Sequence, residues 1–249
     1  MSLHREVAGF SKSAEAYERG RPGYPQAVVD WIVEIGELGA GRVVVDLAAG
    51  TGKLTRELTG RGAEVFAVEP LAEMRAELVA SAPGAQRVAG TAAATTLPSE
   101  SADVVTIAAA FHWFAGEAAL AEIARVLRPD GVLVLVWNRR DLGQPLQAEV
   151  SRIIDPYRSD TPSYVSGQWR SAMDATARFS PVAELHVDCE QVVDRAGLVD
   201  RVGSISFIAN LADQERSAAL AEIAELVGDE PATESLRYVT DAYAYGLAH

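Results

Sequence analysis

One cysteine in 249 residues, Cys189, excludes a disulfide within the chain and any cysteine-built zinc cluster. No run of Lys and Arg exists with which to displace counterions from a phosphate backbone. The formal net charge of −13 argues further against DNA, RNA or an anionic membrane surface as partner. The longest apolar runs, VVTIAAAF and GVLVLVW, are too short to span a bilayer. The opening MSLHREVAGFSKSAEAYERG lacks the apolar centre of a signal peptide. His4, His112, His186 and His249 show no metal-ligand spacing, so no metal is expected. Together these absences point to a soluble, cytoplasmic protein.

What is present is a large core: 49% of the residues are hydrophobic, enough for one α/β domain with a small cap. GRPGYP breaks the chain near its start, and Pro25 suits the first turn of the helix that follows. Short apolar or β-branched runs at 43–47, 64–68, 86–90, 102–109 and 132–137 predict strands. Helical patterns over 54–60, 71–81 and 117–127 lie between them, and Pro129 and Gly131 read as stop signals. Such alternation predicts a parallel sheet covered by helices on both faces. After Asn138 the sequence is polar and broken by four prolines, with helical pieces near 146–157 and 167–178. AELHVDCEQVVD then alternates as a strand, DQERSAALAEIAELVG reads as an amphipathic helix, and LRYVTDAYAYGLA as a last strand. Cys189 falls in the first of these strands, where packing is its expected role.

A parallel sheet binds ligands at the carboxyl ends of its strands. DLAAGTGKLT occupies the first such turn. Small residues there let the backbone approach a ligand, and the helix that follows offers free N–H groups. The dinucleotide pattern G-x-G-x-x-G fails: aligned on Ala48 and Gly50, its third position is Lys53. The second strand ends VFAVEP, which puts Glu69 nineteen residues past Gly50. An acid at that tip either caps the next helix or accepts hydrogen bonds from a ribose diol. Paired with the glycine turn, it reads as a nucleoside site.

VVVDLAAGTGKLT, AVEP, GTAAATTLPSESADVV and EIARVLRPDGVLVLVWN together resemble the class I S-adenosylmethionine-dependent methyltransferases over residues 10–140. YERGRPGYP and FHWF are similar to the branch containing trans-aconitate methyltransferase-like enzymes. The resemblance implies a Rossmann-like, seven-stranded sheet, mostly parallel with an antiparallel last strand, flanked by helices and carrying a small helical cap. It divides the chain into an N-terminal arm (1–40), a cofactor-binding core (41–138), a cap (139–180) and a completion of the sheet (181–249). It implies S-adenosylmethionine as cofactor, with Asp46 and Ala48, Ala49, Gly50 and Gly52 around the methionine part. Glu69 would hold the ribose, Pro70 would border the adenine, and Thr91 and Ala92 would meet its edge. Two positions depart from the family: Ala48 stands where most relatives have Gly, and Thr91 where many have Asp.

Methyl transfer from a sulfonium needs an acceptor held close, aligned and partly dry. A carboxylate acceptor needs no base; a hydroxyl or ammonium does. His112, just past the fourth strand, is the candidate base or acceptor-orienting residue, set against a plain helix-capping role. Tyr17 and Arg21 in the arm are candidates for closing over the cofactor, Arg21 by pairing with its carboxylate or with an acidic substrate. Trp113, Trp137, Asn138, Tyr164 and Trp169 are candidates for the acceptor pocket. Arg139 and Arg140 read as a solvated charge pair. The expected function is methyl transfer to a small-molecule acceptor, most readily at a carboxylate or hydroxyl oxygen. A non-catalytic cofactor-binding protein and, less well supported, a nicotinamide-dependent oxidoreductase stand as alternatives.

Overall fold

Strands buried on both faces are written in near-continuous apolar sequence, and VVVDL and ADVVTIA are of that kind. In the computed structural model, which describes residues 18–228 and 232–248, they lie at the centre of a seven-stranded sheet. The strands are β1 (Val43–Leu47), β2 (Glu64–Val68), β3 (Gln86–Val88), β4 (Ala102–Ala108), β5 (Leu127–Arg140), β6 (Phe179–Val193) and β7 (Glu234–Leu247). Their order is β3-β2-β1-β4-β5-β7-β6; the first four neighbouring pairs are parallel and the last strands antiparallel. The helices are α1 (Gln26–Ile35), α2 (Thr55–Leu58), α3 (Ala72–Ser81), α4 (Glu117–Val126), α5 (Pro145–Ile154), α6 (Gln168–Ala175), α7 (Arg195–Gly203), α8 (Ser206–Ala209) and α9 (Asp213–Ala224).

The chain forms two compact units. The core unit comprises residues 23–138, 162–187 and 240–248 of those described; the helical unit comprises 18–22, 139–161 and 188–239, less the undescribed 229–231. The stretch 139–180, which reads as one insertion in the sequence, is therefore shared between them.

In the core unit successive strand residues point to opposite faces. Val45 and Leu47 of β1, Val105 and Ile107 of β4 and Leu133 and Leu135 of β5 pack with Leu120 and Ile123 of α4. Their neighbours Val44, Val104, Val134 and Val136 pack with Val28, Val29 and Ile32 of α1 and with Leu78 of α3. Spacing of the apolar residues by three and four puts each helix's apolar stripe on the sheet. Pro25 stands directly before α1. In the helical unit, Val150, Ile153 and Ile154 of α5 pack against Leu198 and Val202 of α7 and Ile223 of α9, and Cys189 is partly buried against them.

One boundary differs from the pattern. Pro129 and Gly131 do not end the element before them: α4 stops at Val126 and β5 already begins at Leu127. Leu127 pairs with Ala102 and Val132 with Val104, so β5 takes three more residues than β4 at this irregularity. Proline is tolerated in a strand at such a bulge because no ladder hydrogen bond is required of it. No helix of the described residues is long and apolar enough to cross a membrane.

Candidate cofactor and acceptor site

Strand order reverses between β1 and β4, so the carboxyl ends of the strands there open the crevice where this architecture binds ligands. Asp46 lies near the end of β1, 1% exposed, in register with Thr106 of β4. Its Oδ1 accepts from the Thr106 hydroxyl at 3.0 Å and its Oδ2 from the Thr55 hydroxyl at 2.6 Å. Burial pushes the carboxyl up to about 6, and these two hydroxyls hold it from rising further. Thr106 interrupts the apolar run VVTIA; that polar residue is the signal by which the partner of Asp46 is found.

The turn after β1 is left-handed at three residues: Ala48 at φ +59°, Gly50 at +59° and Gly52 at +90°. The two glycines do different things. A Cβ on Gly52 would lie 2.6 Å from Leu78 Cδ2 and 2.9 Å from Ser81 Oγ, so this glycine lets α3 pack on the turn. A Cβ on Gly50 would meet nothing within 4 Å, so Gly50 faces open space. Ala48 carries the same backbone conformation with a methyl group, at a steric cost glycine avoids.

Glu69, 5% exposed, follows β2 and spans the mouth of this turn. Its two oxygens accept from Gly50 N–H at 3.0 Å and from Leu71 N–H at 2.9 Å. Burial raises its pKa and the two N–H bonds oppose the rise. The Arg75 guanidinium donates to the Glu69 carbonyl at 2.7 Å, which further fixes this corner. Each carboxylate oxygen keeps a second acceptor position. An immobilised acid with two acceptors, beside a glycine facing open space, matches the vicinal hydroxyls of a ribose. The residues present therefore fit an adenosine-bearing cofactor.

Ala49 donates its N–H to Val68 at 3.2 Å, linking the turn to β2. Pro70 is half-buried after Glu69. Thr91 is exposed, and it and Ala94 exchange backbone hydrogen bonds at 3.0 and 3.1 Å; Ala92, between them, is buried. Arg21 belongs to the helical unit, where its guanidinium donates to the hydroxyl and carbonyl of Ser204 at 3.2 and 3.1 Å. Tyr17 lies outside the described residues.

β4 is followed by another left-handed non-glycine residue, Ala109 at φ +53°, which the sequence does not reveal. It turns the chain into a short 3₁₀ segment, Phe111–Trp113. Phe111 is fully buried, whereas His112 and Trp113 are half-buried with ring centres 5.3 Å apart. The indole Nε1–H of Trp137 donates to His112 Nδ1 at 3.1 Å. Trp137 in turn packs at a tilt of 34° against Tyr164, ring centres 4.9 Å apart, and against Trp169, 4.6 Å apart. Trp169 is 1% exposed and donates to the Tyr164 carbonyl at 3.2 Å. The Tyr164 hydroxyl donates to Asp241 at 2.8 Å and meets that of Tyr243 at 2.9 Å. Asn138 donates to the Gly23 carbonyl at 2.9 Å and accepts from Thr240 at 2.6 Å, tying strand ends together. Asp46, the glycine turn, Glu69, the Thr91–Ala92 corner, His112 and the aromatic group thus all belong to the core unit. Arg140 corrects the sequence reading: it lines a cavity in the helical unit rather than standing in solvent.

A doubly wound sheet, an acid at the tip of β2 and a glycine turn open at Gly50 define a nucleoside-cofactor enzyme of the Rossmann-like type. Comparison with known proteins resolves the kind. The methyltransferase-domain family matches residues 45–135. A methyltransferase-like protein of Schizosaccharomyces pombe is 34% identical over 98% of this chain and 95% of its own length. An uncharacterized methyltransferase of Mycobacterium tuberculosis is 37% identical over 93% of this chain and 92% of its own. A solved structure from Anaeromyxobacter dehalogenans, assigned as a type II methyltransferase, superposes with a TM-score of 0.68 at 23% identity, covering 92% of this chain and 99% of that one. The chain belongs to the class I S-adenosylmethionine-dependent methyltransferases. The cofactor is S-adenosylmethionine, which supplies a methyl group already activated on a sulfonium, and the nicotinamide alternative falls.

Proposed function

We propose that the enzyme methylates the carboxylate oxygen of a small organic acid, with His112 orienting the acceptor as a hydrogen-bond donor. The hydrogen bond from Trp137 to His112 carries this reading. An indole N–H only donates, so the nitrogen it meets must offer a lone pair. Nδ1 is that nitrogen; the proton of the neutral ring is then on Nε2. A ring held in this tautomer donates from Nε2. To accept a proton there it would first have to carry its own on Nδ1, against the Trp137 N–H. A hydroxyl acceptor would need a base, whereas a carboxylate is already ionised and needs only to be held.

In this reading Glu69 binds the ribose, the turn from Ala48 to Gly52 borders the methionine part, and Asp46 lies behind it as a buried negative charge. Trp113 and the group Trp137, Tyr164 and Trp169 shape the apolar side of the acceptor site. The test is methyl-ester formation across a panel of small carboxylic acids and phenols. His112→Ala should lower kcat/KM for the best acid about 10- to 100-fold, the scale of a hydrogen bond to a charged group. His112→Gln, which restores an N–H donor, should recover much of it. A His112→Ala rate that returns as the pH is raised, or turnover of phenols alone, would overturn the reading in favour of a base.

A further inference from the structure

The aromatic group around Trp137 rests on a buried acid that the methyl-transfer reading does not use. Asp241 of β7 is 1% exposed. Its Oδ2 accepts from the Tyr164 hydroxyl at 2.8 Å, and its Oδ1 lies 2.7 Å from Nδ1 of His186 on β6. A phenol has one proton to give. With that proton directed at Asp241, the 2.9 Å contact between the Tyr164 and Tyr243 hydroxyls is donated by Tyr243. Burial, and then the bonds to Tyr243 and Asp241, raise the Tyr164 pKa, so the hydroxyl keeps the proton it donates. Tyr164 is thus held at its ring tip by Asp241 and at its backbone by the Trp169 indole, which donates to the Tyr164 carbonyl at 3.2 Å. The rings of Tyr164 and Trp169 lie 19° from parallel, and both bear on Trp137. The Arg170 guanidinium, 4.7 Å from the Trp169 ring and 4.4 Å from that of Tyr243, links those two. All of these residues belong to the core unit.

We propose that Asp241 is a positioning residue for the acceptor site, acting through Tyr164 and Trp137 to set which nitrogen of His112 carries the proton. This role rests on the acceptor-orienting function given to His112 above. A buried acid is a poor source of stability, because desolvation offsets what its hydrogen bonds contribute. What it supplies here is direction: a charged acceptor fixes the Tyr164 hydroxyl, and with it the ring, more firmly than a neutral one would. The buried Trp137 indole, packed against Tyr164 and Trp169, takes its plane from them. Its Nε1–H reaches His112 Nδ1 at 3.1 Å, near the long end of the usual range, so a small rotation of the indole breaks the bond. A neutral imidazole released from that bond can carry its proton on either nitrogen, and Nε2 is then no longer a dependable donor.

The test reads the tautomer of His112 in the full chain, by long-range proton–nitrogen correlation spectra of protein carrying isotope-labelled histidine. The spectra are taken at a pH above the ordinary histidine range, and the His112 signals are assigned by their loss in His112→Gln. The parent should show the proton on Nε2. Tyr164→Phe, which keeps the ring and loses the hydroxyl, should show a mixture of tautomers, and so should Asp241→Ala; if one of them does not fold, the other decides. Asp241→Asn, whose carbonyl still accepts from Tyr164, should recover much of the parent spectrum. His186→Ala takes a different hydrogen bond from the same carboxylate, so it should lower Tm and leave the tautomer as it is. In turnover of the best acid, kcat/KM should fall about 2- to 30-fold in Tyr164→Phe and in Asp241→Ala, the scale of coupling through packed side chains. Neither change should cost anything further in a His112→Ala background. The spectrum needs no acceptor: should His112→Ala leave turnover unchanged, the orienting role falls and the spectrum alone still decides whether Asp241 sets the tautomer. An unchanged tautomer in either variant that folds would overturn the assignment to Asp241. So would an equal shift in His186→Ala, or a rate loss that persists in full without His112.

Discussion

Asp46→Asn should make the ligand-free protein more stable at neutral pH. The side chain is 1% exposed and its carboxyl titrates near 6, against about 4 for an exposed aspartate. A folded value above the unfolded one means that, between these two, the native protein holds a proton the unfolded chain has released. Stability is then fully present below about pH 4, is lost as the pH rises through about 6, and is level above that. Two units at 1.36 kcal/mol each place the loss at about 3 kcal/mol. Asparagine is close in shape to the protonated acid. Its carbonyl can accept from one of the Thr55 and Thr106 hydroxyls, and the other hydroxyl rotates to accept from its amide. Urea unfolding at half-unit steps from pH 4.5 to 8 should show the parent losing about 2 kcal/mol of that relative to Asp46→Asn, with the two curves parallel above pH 7. Equal pH dependence, or an asparagine variant less stable at pH 7.5, would refute the assignment of the shift to Asp46. If the ionised carboxylate serves the methyl donor, the same variant should also bind S-adenosylmethionine more weakly. A variant both more stable and unimpaired in binding would remove Asp46 from the site.

Glu69→Ala should weaken S-adenosylhomocysteine binding by roughly 1.5–3 kcal/mol, the range for hydrogen bonds to a charged group; calorimetry giving an unchanged Kd would reject the ribose assignment. Ala48→Gly should raise stability by about 0.5 kcal/mol: relief of roughly 1–2 kcal/mol of left-handed strain outweighs roughly 0.4–1 kcal/mol of added chain entropy in the unfolded state. A lower Tm would show that the Ala48 methyl makes contacts worth more than the strain.

The centre of the sheet was legible because burial on two faces leaves a plain mark, a run of Val, Ala and Ile closed by Asp46 or Ala108. Glu69 was legible because the turn and the acid lie on consecutive strands, close in sequence as well as in space. The early start of β5 was not, since Pro129 and Gly131 are written like a helix stop and only the pairing with β4 absorbs them. The tautomer of His112 was out of reach, depending on Trp137, 25 residues on. Arg140 was misread for a related reason. A charge after a strand is ordinarily solvated, and here Leu198, Val202 and Arg201, some sixty residues later, enclose it. The split of 139–180 between the units has no local marker, because 162–180 and 139–161 join units made mostly of residues distant from them.

The chain passes between the two units five times, at 22/23, 138/139, 161/162, 187/188 and 239/240, three of these within β5, β6 and β7. No single cut in the gene releases either unit whole, and no contiguous cassette can be exchanged for one. An attempt to transplant the arginine cavity into another methyltransferase must carry over two separate segments, 139–161 and 188–239, whose strand ends continue into the host's sheet. Libraries built by block recombination at the apparent end of the cofactor core, near Asn138, would cut β5 at the same seam between the units in every member.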